Sequence, residues 1–288
     1  MDLPTYDDRY VEVGGKKIRY WDQGEGPAVV LVHGLAASVE FWVYNIGALG
    51  SPHRVVALDL LGFGRSDKEI GEFSLPYSAS FLMDFLDAVG LQEASLVGNS
   101  MGGLVCLQTA VDYPERVDRL VLVDPAGFGR ELNPLLRLWS IPIAGSAVFW
   151  LSQRLFPGLR EWVYPGSGSI TRAWLLRAAE VLRTPGVRAN AVQVARLGVN
   201  LRGQREELFR DLHDRLPTLT VPTMIIWGDR DPIVPVRHAY VAQKLIANSQ
   251  VRIIEGCGHL PQMECPEDFN ELVLNFLTDD RLPAPAKD

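Results

Sequence analysis

The chain of 288 residues is long enough to bury a sizeable core, and its 47% hydrophobic and 22% charged residues are typical of a globular protein. Its formal net charge is −7, and it contains no long basic run. This acidic balance argues against a nucleic-acid partner, because nucleic-acid binding depends on neutralising phosphates. It also weakly disfavours a strongly anionic substrate.

The cysteines and the N-terminus indicate a reducing compartment. Cys106, Cys257 and Cys265 form no complete disulfide set and have no metal-ligand spacing with the histidines. The N-terminal residues are acidic and lack the apolar core of a signal peptide. We therefore expect a cytoplasmic protein with reduced thiols and no bound metal. The longest apolar stretch of residues 130–215, 139–152, is shorter than the roughly 20 residues that a membrane-spanning helix needs, so we expect no stable membrane insertion.

Short apolar runs that end at turn residues predict a series of β-strands along the chain. The predicted strands are residues 10–13, 16–21, 28–32, 54–58, 95–97, 120–123, 223–227 and 251–254. Gly14 and Gly15 fit a hairpin turn between the first two strands, and residues 78–91 are predicted to form a helix. One α/β domain with an insertion fits this length and pattern better than two separate domains.

The insertion is predicted where the strand pattern stops. Residues 130–215 show no clear strand, and prolines divide them into several short helices. We interpret this segment as an inserted helical cap over a core domain formed by residues 1–129 and 216–288. The last residues, 283–288, are expected to be disordered.

The most informative motif is the pentapeptide from Gly98 to Gly102, which fits G-x-S-x-G with Ser100 at its centre. An apolar strand leads into it and an apolar helical run follows, which is the context that a nucleophile elbow requires. Ser100 at the tip of the turn would be strained, and side chains at the glycine positions would collide with the strand and the helix. The sequence therefore predicts an exposed serine nucleophile above a helix N-terminus.

A base and an acid follow the serine in the chain. His259 comes after Gly256-Cys257-Gly258, just past the last predicted strand, and the Asp229–Asp231 loop comes after the strand before it. Both positions lie at the carboxyl edge of a parallel sheet, where catalytic groups gather. A histidine takes the proton of a serine hydroxyl, and a carboxylate on the far ring nitrogen fixes its tautomer.

Three aspartates compete for the role of the acid. We favour Asp231, with Asp124 at the end of the strand at residues 120–123 as the second candidate and Asp229 as the third. Side-chain hydrogen bonds to the loop backbone are the alternative role for Asp229. His33 lies near the predicted site, and we expect a structural role for it.

These motifs together resemble the α/β-hydrolase superfamily over most of the chain. Residues 29–34 are similar to the family's third strand and its His-Gly turn, residues 59–66 to its D-x-x-G-x-G-x-S segment, and residues 113–117 to the end of the elbow helix. The resemblance implies a mostly parallel central sheet flanked by helices, with an inserted helical cap. It places the catalytic acid on Asp231 and the base on His259. It also implies that the backbone N–H groups of Leu35 and Met101 form the oxyanion hole.

The predicted cap is rich in tryptophan, and Trp139, Trp150 and Trp162 are candidates for the wall of an apolar substrate pocket. Packing the cap against the core domain is the alternative role for each of them. The run Gly-Asn-Ser-Met-Gly-Gly resembles carbon–carbon bond hydrolases that cleave aromatic ring-fission products, and Arg177 falls where those enzymes carry a substrate-binding arginine. Two departures weaken this likeness. Residues 35–38 lack the glycines of their loop, and Leu260, a further candidate for the pocket wall, stands where they have tryptophan.

The resulting hypothesis is a serine carboxylesterase for small to medium, largely apolar esters, without a cofactor or metal. One alternative is a carbon–carbon bond hydrolase. Another is a small-molecule receptor on a hydrolase scaffold, because receptors can retain an intact triad. Epoxide and haloalkane chemistry are disfavoured, since those relatives use an aspartate where this chain has Ser100. The sequence leaves the oligomeric state open.

Overall fold

The computed structural model describes residues 3–71, 73–141, 144–155 and 170–279. The strands are β1 (Arg9–Val13), β2 (Lys16–Gln23), β3 (Ala28–Val32), β4 (Arg54–Leu58), β5 (Ala94–Asn99), β6 (Val117–Val123), β7 (Val199–Asn200), β8 (Gly203–Gln204), β9 (Thr223–Gly228) and β10 (Ser249–Ile254). The α-helices are α1 (Ile46–Leu49), α2 (Leu75–Ala88), α3 (Met101–Asp112), α4 (Pro134–Leu138), α5 (Ala144–Leu155), α6 (Arg172–Leu182), α7 (Val187–Gly198), α8 (Arg210–Arg215), α9 (Arg237–Leu245), α10 (Pro261–Glu264) and α11 (Pro266–Leu277).

Eight strands form one twisted sheet in the order β1-β2-β4-β3-β5-β6-β9-β10. The pairs β1–β2 and β2–β4 are antiparallel. The remaining neighbours are parallel. The mostly parallel sheet predicted from the sequence is therefore confirmed.

The inner strands are apolar on both faces because helices cover both sides of the sheet. In β3, Val30 and Val32 contact one hydrophobic cluster, while Val29 and Leu31 contact the opposite one. Helices α2 and α3 contribute to the first cluster, and α1 and α11 to the second. Two helical layers around a central sheet explain why these strands read as continuous apolar runs.

The parallel strands bring four loops to one edge of the sheet. Ser100 follows β5, Asp124 follows β6, residues 229–236 follow β9, and residues 255–260 follow β10. These four strands are consecutive neighbours in the sheet, so their carboxyl ends lie side by side.

The segment between β6 and β9 contains α4 to α8, except that residues 142–143 and 156–169 lie outside the described part of the chain. The prediction that residues 130–215 contain no strand is wrong, because β7 and β8 form a two-residue antiparallel pair. A pair this short is too brief to produce the alternating pattern that identifies a strand.

Helix boundaries also differ from the predicted ones. Helix α2 begins three residues earlier than predicted because the side chain of Ser74 caps it, accepting the N–H of Tyr77 at 3.2 Å. Helices α9 and α11 are absent from the predicted elements.

Within the described residues, no helix combines the length and the apolar character needed to cross a membrane.

Candidate active site

Ser100 lies on the sharp turn between β5 and α3. Its backbone has φ 56° and ψ −116°, a region that residues with a side chain rarely adopt. The Ser100 N–H donates to the carbonyl of Val123 at 2.8 Å, and its carbonyl accepts the N–H of Ala126 at 3.2 Å. These contacts hold the strained turn against the end of β6 and keep the serine at the wall of a cavity.

The two motif glycines allow β5 and α3 to approach closely. A Cβ on Gly98 would lie 2.5 Å from the carbonyl oxygen of Gly102, and a Cβ on Gly102 would lie 2.3 Å from the carbonyl oxygen of Val32. Both contacts are with backbone atoms, which cannot rotate away. The collision expected from the sequence is thus present at both positions.

Two backbone donors lie beside the serine. Leu35 and Met101 line the same cavity as Ser100. Met101 is the first residue of α3, so its N–H has no intrahelical acceptor. Among the described residues, neither this N–H nor that of Leu35 donates a hydrogen bond. A Cβ on Gly34 would lie 3.2 Å from the Cβ of Ser100, so the turn that carries Leu35 contacts the serine directly.

His259 and Asp231 form a hydrogen-bonded pair. The distance from His259 Nδ1 to Asp231 Oδ2 is 2.7 Å. The other carboxylate oxygen accepts the N–H groups of Ile233 at 2.7 Å and Val234 at 3.0 Å. Asp231 is fully buried at the side chain, whereas His259 lines the cavity together with Ser100. When Nδ1 of a neutral ring donates to Asp231, the free lone pair lies on Nε2.

The other two aspartates have different partners. Asp229 Oδ1 accepts the N–H of Gly256 at 2.7 Å, which is the loop-stabilising role offered as its alternative. Asp124 is buried beside the pair, and its Oδ1 accepts the N–H of Gly228 at 3.0 Å. Neither carboxylate is hydrogen-bonded to His259, so the geometry favours Asp231 as its partner.

His33 has the structural role that we expected. Its Nδ1 lies 2.8 Å from the carbonyl oxygen of Gly34, and its Nε2 accepts the N–H of Leu60 at 3.0 Å. Burial lowers the pKa of His33 to about 4, so the ring is neutral near neutral pH. The neutral ring connects the turn before Leu35 to the end of β4.

Two residues that the motifs do not single out position the histidine loop. The side-chain amide of Asn99 donates to the carbonyl oxygens of Val123 and His259, both at 3.2 Å. The carboxylate of Glu264 accepts the N–H groups of Gly258 at 3.1 Å and Leu260 at 2.9 Å. The sequence feature that could have identified Asn99 is a single amide side chain at the end of an apolar strand. No sequence pattern marks Glu264.

The cavity has a volume of about 660 Å³ and lies between the carboxyl edge of the sheet and helices of the 130–215 segment. Trp139 and Leu260, two of the candidates for the pocket wall, line it. Trp150 does not, and its side chain is 43% exposed. Trp162 lies outside the described residues.

Arg177 also lies away from the cavity, contrary to its predicted place in the pocket. Its Nε is 3.7 Å from an oxygen of the buried Glu40, and its guanidinium lies over the ring of Trp21 at 5.5 Å. Residue spacing put Arg177 on the correct helix, but the helix turns this side chain toward the buried Glu40.

A family model for the α/β hydrolase fold matches residues 27–266. The chain belongs to the α/β-hydrolase family. The match includes Ser100, Asp231 and His259, together with both residues of the predicted oxyanion hole. This membership confirms the resemblance read from the motifs and makes the protein a hydrolase by family.

Relatives of this α/β hydrolase are named for different activities. A 2-hydroxy-6-oxo-6-(2'-aminophenyl)hexa-2,4-dienoic acid hydrolase of Metapseudomonas resinovorans is 32% identical over 281 residues, covering 95% of this chain and 92% of that protein. A membrane phospholipase A described as a bacterial virulence factor superimposes with a TM-score of 0.79 at 28% identity, covering 96% of this chain and 87% of that one. The carboxylesterase CesB of Bacillus subtilis has a TM-score of 0.78 at 23% identity, covering 96% and 92%, and shows the fold alone.

Proposed function

We propose that this hydrolase is a serine carboxylesterase that acts on small to medium, largely apolar esters. Ser100 Oγ attacks the ester carbonyl carbon while His259 Nε2 takes the hydroxyl proton. The N–H groups of Leu35 and Met101 stabilise the tetrahedral oxyanion. His259 then protonates the leaving alcohol, and water cleaves the acyl-enzyme with the same groups.

The observation that carries this proposal is the composition of the one cavity that Ser100 and His259 share. Its walls are mainly leucine, valine, alanine and aromatic side chains. Such walls exclude water and bind neutral apolar groups, while Ser100 and His259 supply polar groups at the same cavity. An ester with apolar acyl and alcohol parts matches this division.

The extent of the cavity along α3 sets the expected length of the acyl chain. Met101, Leu104 and Gln108 follow one face of α3 and all line the cavity. Seven residues of helix rise by about 10 Å. An extended chain advances by about 1.2 Å per bond, so this length of cavity wall accommodates an acyl chain of roughly eight carbons.

A carbon–carbon bond hydrolase is the second candidate, because the relative from Metapseudomonas resinovorans acts on a dienoic acid. A dienoate substrate carries a carboxylate that needs a cationic partner. Among the described residues that line the cavity, the one guanidinium is that of Arg215, whose Nη1 lies 2.6 Å from Asp112 Oδ1. The ester therefore ranks first.

A chain-length series of chromogenic esters, from acetate to palmitate, tests the proposal. Turnover should peak at short to medium chains, and Ser100→Ala should lower kcat by at least about a thousandfold. Ser80→Ala is the matched control, because the Ser80 hydroxyl donates to the carbonyl of Tyr77 on α2, away from the cavity.

Two outcomes would contradict the proposal. Activity of folded Ser100→Ala within about tenfold of the wild type would remove Ser100 as the nucleophile. Negligible turnover of every ester, together with rapid decay of a coloured dienoate, would identify the carbon–carbon hydrolase. A ligand that raises the melting temperature without being consumed would favour the receptor alternative.

A further inference from the structure

Asp124 is a buried carboxyl group with an unused oxygen next to the catalytic pair. It follows β6 with φ 43°, a left-handed conformation, and its side chain has no solvent exposure. Oδ1 accepts the N–H of Gly228, but Oδ2 has no hydrogen-bond partner. Unsatisfied buried polar atoms are rare in proteins and call for an explanation.

Asp124 lies in a small cluster of titratable groups. One side-chain N or O atom from each of Asp124, Asp231 and His259 lies within 4.8 Å of the others. The carboxylate of Glu264 and the thiol of Cys257 are the further titratable groups that act on Asp124 or are acted on by it. Glu264 already accepts two backbone N–H groups.

The hydrogen-bond donors are divided unequally between the two aspartates. Asp231 accepts three donors, from Ile233, Val234 and His259. Asp124 accepts one, from Gly228. Two ionised carboxylates repel each other strongly when both are buried, and the better solvated one keeps its charge. Burial and the neighbouring Asp231 carboxylate raise the pKa of Asp124 well above its usual range.

We propose that Asp124 is protonated in the working enzyme and that its Oδ2–H donates a hydrogen bond to the carboxylate of Asp231. This inference rests on the proposed role of Asp231 as the partner of His259. Asp124 is then a positioning residue. It gives the Asp231 carboxylate a fourth hydrogen-bond donor and holds it in place without adding a charge. It touches no substrate, because it does not line the cavity.

A metal ion bound by the same three residues is the main competing interpretation. Two ligands on a tetrahedral zinc ion with bonds of about 2.0 Å are separated by roughly 3.3 Å. The 2.7 Å contact between His259 Nδ1 and Asp231 Oδ2 is shorter and has the length of a charge-assisted hydrogen bond. This distance therefore favours a hydrogen bond over a shared metal ion between His259 and Asp231.

Three variants test the proposal in the full chain. Asp124→Asn keeps a neutral group with N–H donors, so kcat should stay within about threefold of the wild type. Asp124→Ala removes the donor and should lower kcat by about tenfold or more with KM unchanged, because the residue is outside the cavity. Asp231→Asn is the benchmark and should cost about ten-thousandfold. Rescue by asparagine but not alanine separates a donor from a space-filling role.

Infrared spectroscopy reads the proton directly and needs no turnover. Wild type and Ser100→Ala near pH 7 should both show the carbonyl band of a protonated carboxyl group, which Asp124→Asn should lack. Absence of that band from the wild type would overturn the proposal even if the variants fail to fold. So would a loss in Asp124→Asn as large as that in Asp231→Asn, or inactivation by a chelator with recovery on adding zinc. If Ser100→Ala remained active, the proposed function would fail. The infrared band would still report whether Asp124 carries the proton.

Discussion

The strained backbone of Ser100 predicts that glycine stabilises this position more than alanine. At φ 56° and ψ −116°, any residue with a Cβ is strained, and only glycine adopts the conformation freely. Ser100→Gly and Ser100→Ala both remove the nucleophile, so both should be inactive. They differ in that alanine retains the strain.

The size of the difference follows from two opposing contributions. Strain of a non-glycine residue in such a region costs about 1–3 kcal/mol. Glycine loses about 0.5–1 kcal/mol more chain entropy than alanine on folding. Ser100→Gly should therefore exceed Ser100→Ala in unfolding free energy by about 1 kcal/mol. For a domain of this size, that corresponds to about 2–4 °C in melting temperature.

Ser80 provides the matched control, since it lies inside α2 and has ordinary helical geometry. Ser80→Ala should exceed Ser80→Gly in unfolding free energy by about 1 kcal/mol. Chemical denaturation and calorimetry of the four variants measure both differences. The reasoning would be refuted if Ser100→Ala were as stable as Ser100→Gly while the Ser80 pair showed the helical order.

Three further predictions concern the site. Gly102→Ala should destabilise the protein by at least about 1–3 kcal/mol in urea denaturation, because its Cβ would meet the backbone oxygens of Val32 and His33; an unchanged midpoint would contradict the packing. Asn99→Ala should lower kcat by about tenfold by releasing the carbonyl of His259, with little change in the unfolding midpoint; an unchanged kcat would argue that the bond is dispensable. His33 has a folded pKa of about 4 against 6.5 in the unfolded chain, so its contribution is present above pH 6.5 and is lost as the pH falls. From about pH 7 to about pH 4 the wild type should lose about 3 kcal/mol more unfolding free energy than His33→Gln, and equal losses would show that His33 is not buried as a neutral ring.

Much of the sheet was readable from the sequence because buried parallel strands are continuous apolar runs. The predicted bounds of β3 and β4 match the structure, and the other predicted strands differ at their ends. Helix α2 begins earlier than its periodicity suggests, because the start is decided by the Ser74 cap. The β7–β8 pair was not predictable from local pattern, since two residues per strand carry no period.

The sequence by itself determined the elbow at Ser100 and the chain order of serine, aspartate and histidine. Those features depend on covalent neighbours: one glycine two residues before the serine, another two residues after it, and loops that follow apolar runs. Only the tertiary structure decided which aspartate contacts His259. The three candidates follow adjacent strands, and their distances from the histidine depend on how those strands align in the sheet. The same reason explains Arg177 and Asn99, because the partners of these side chains lie far away in the chain and are brought near only by folding.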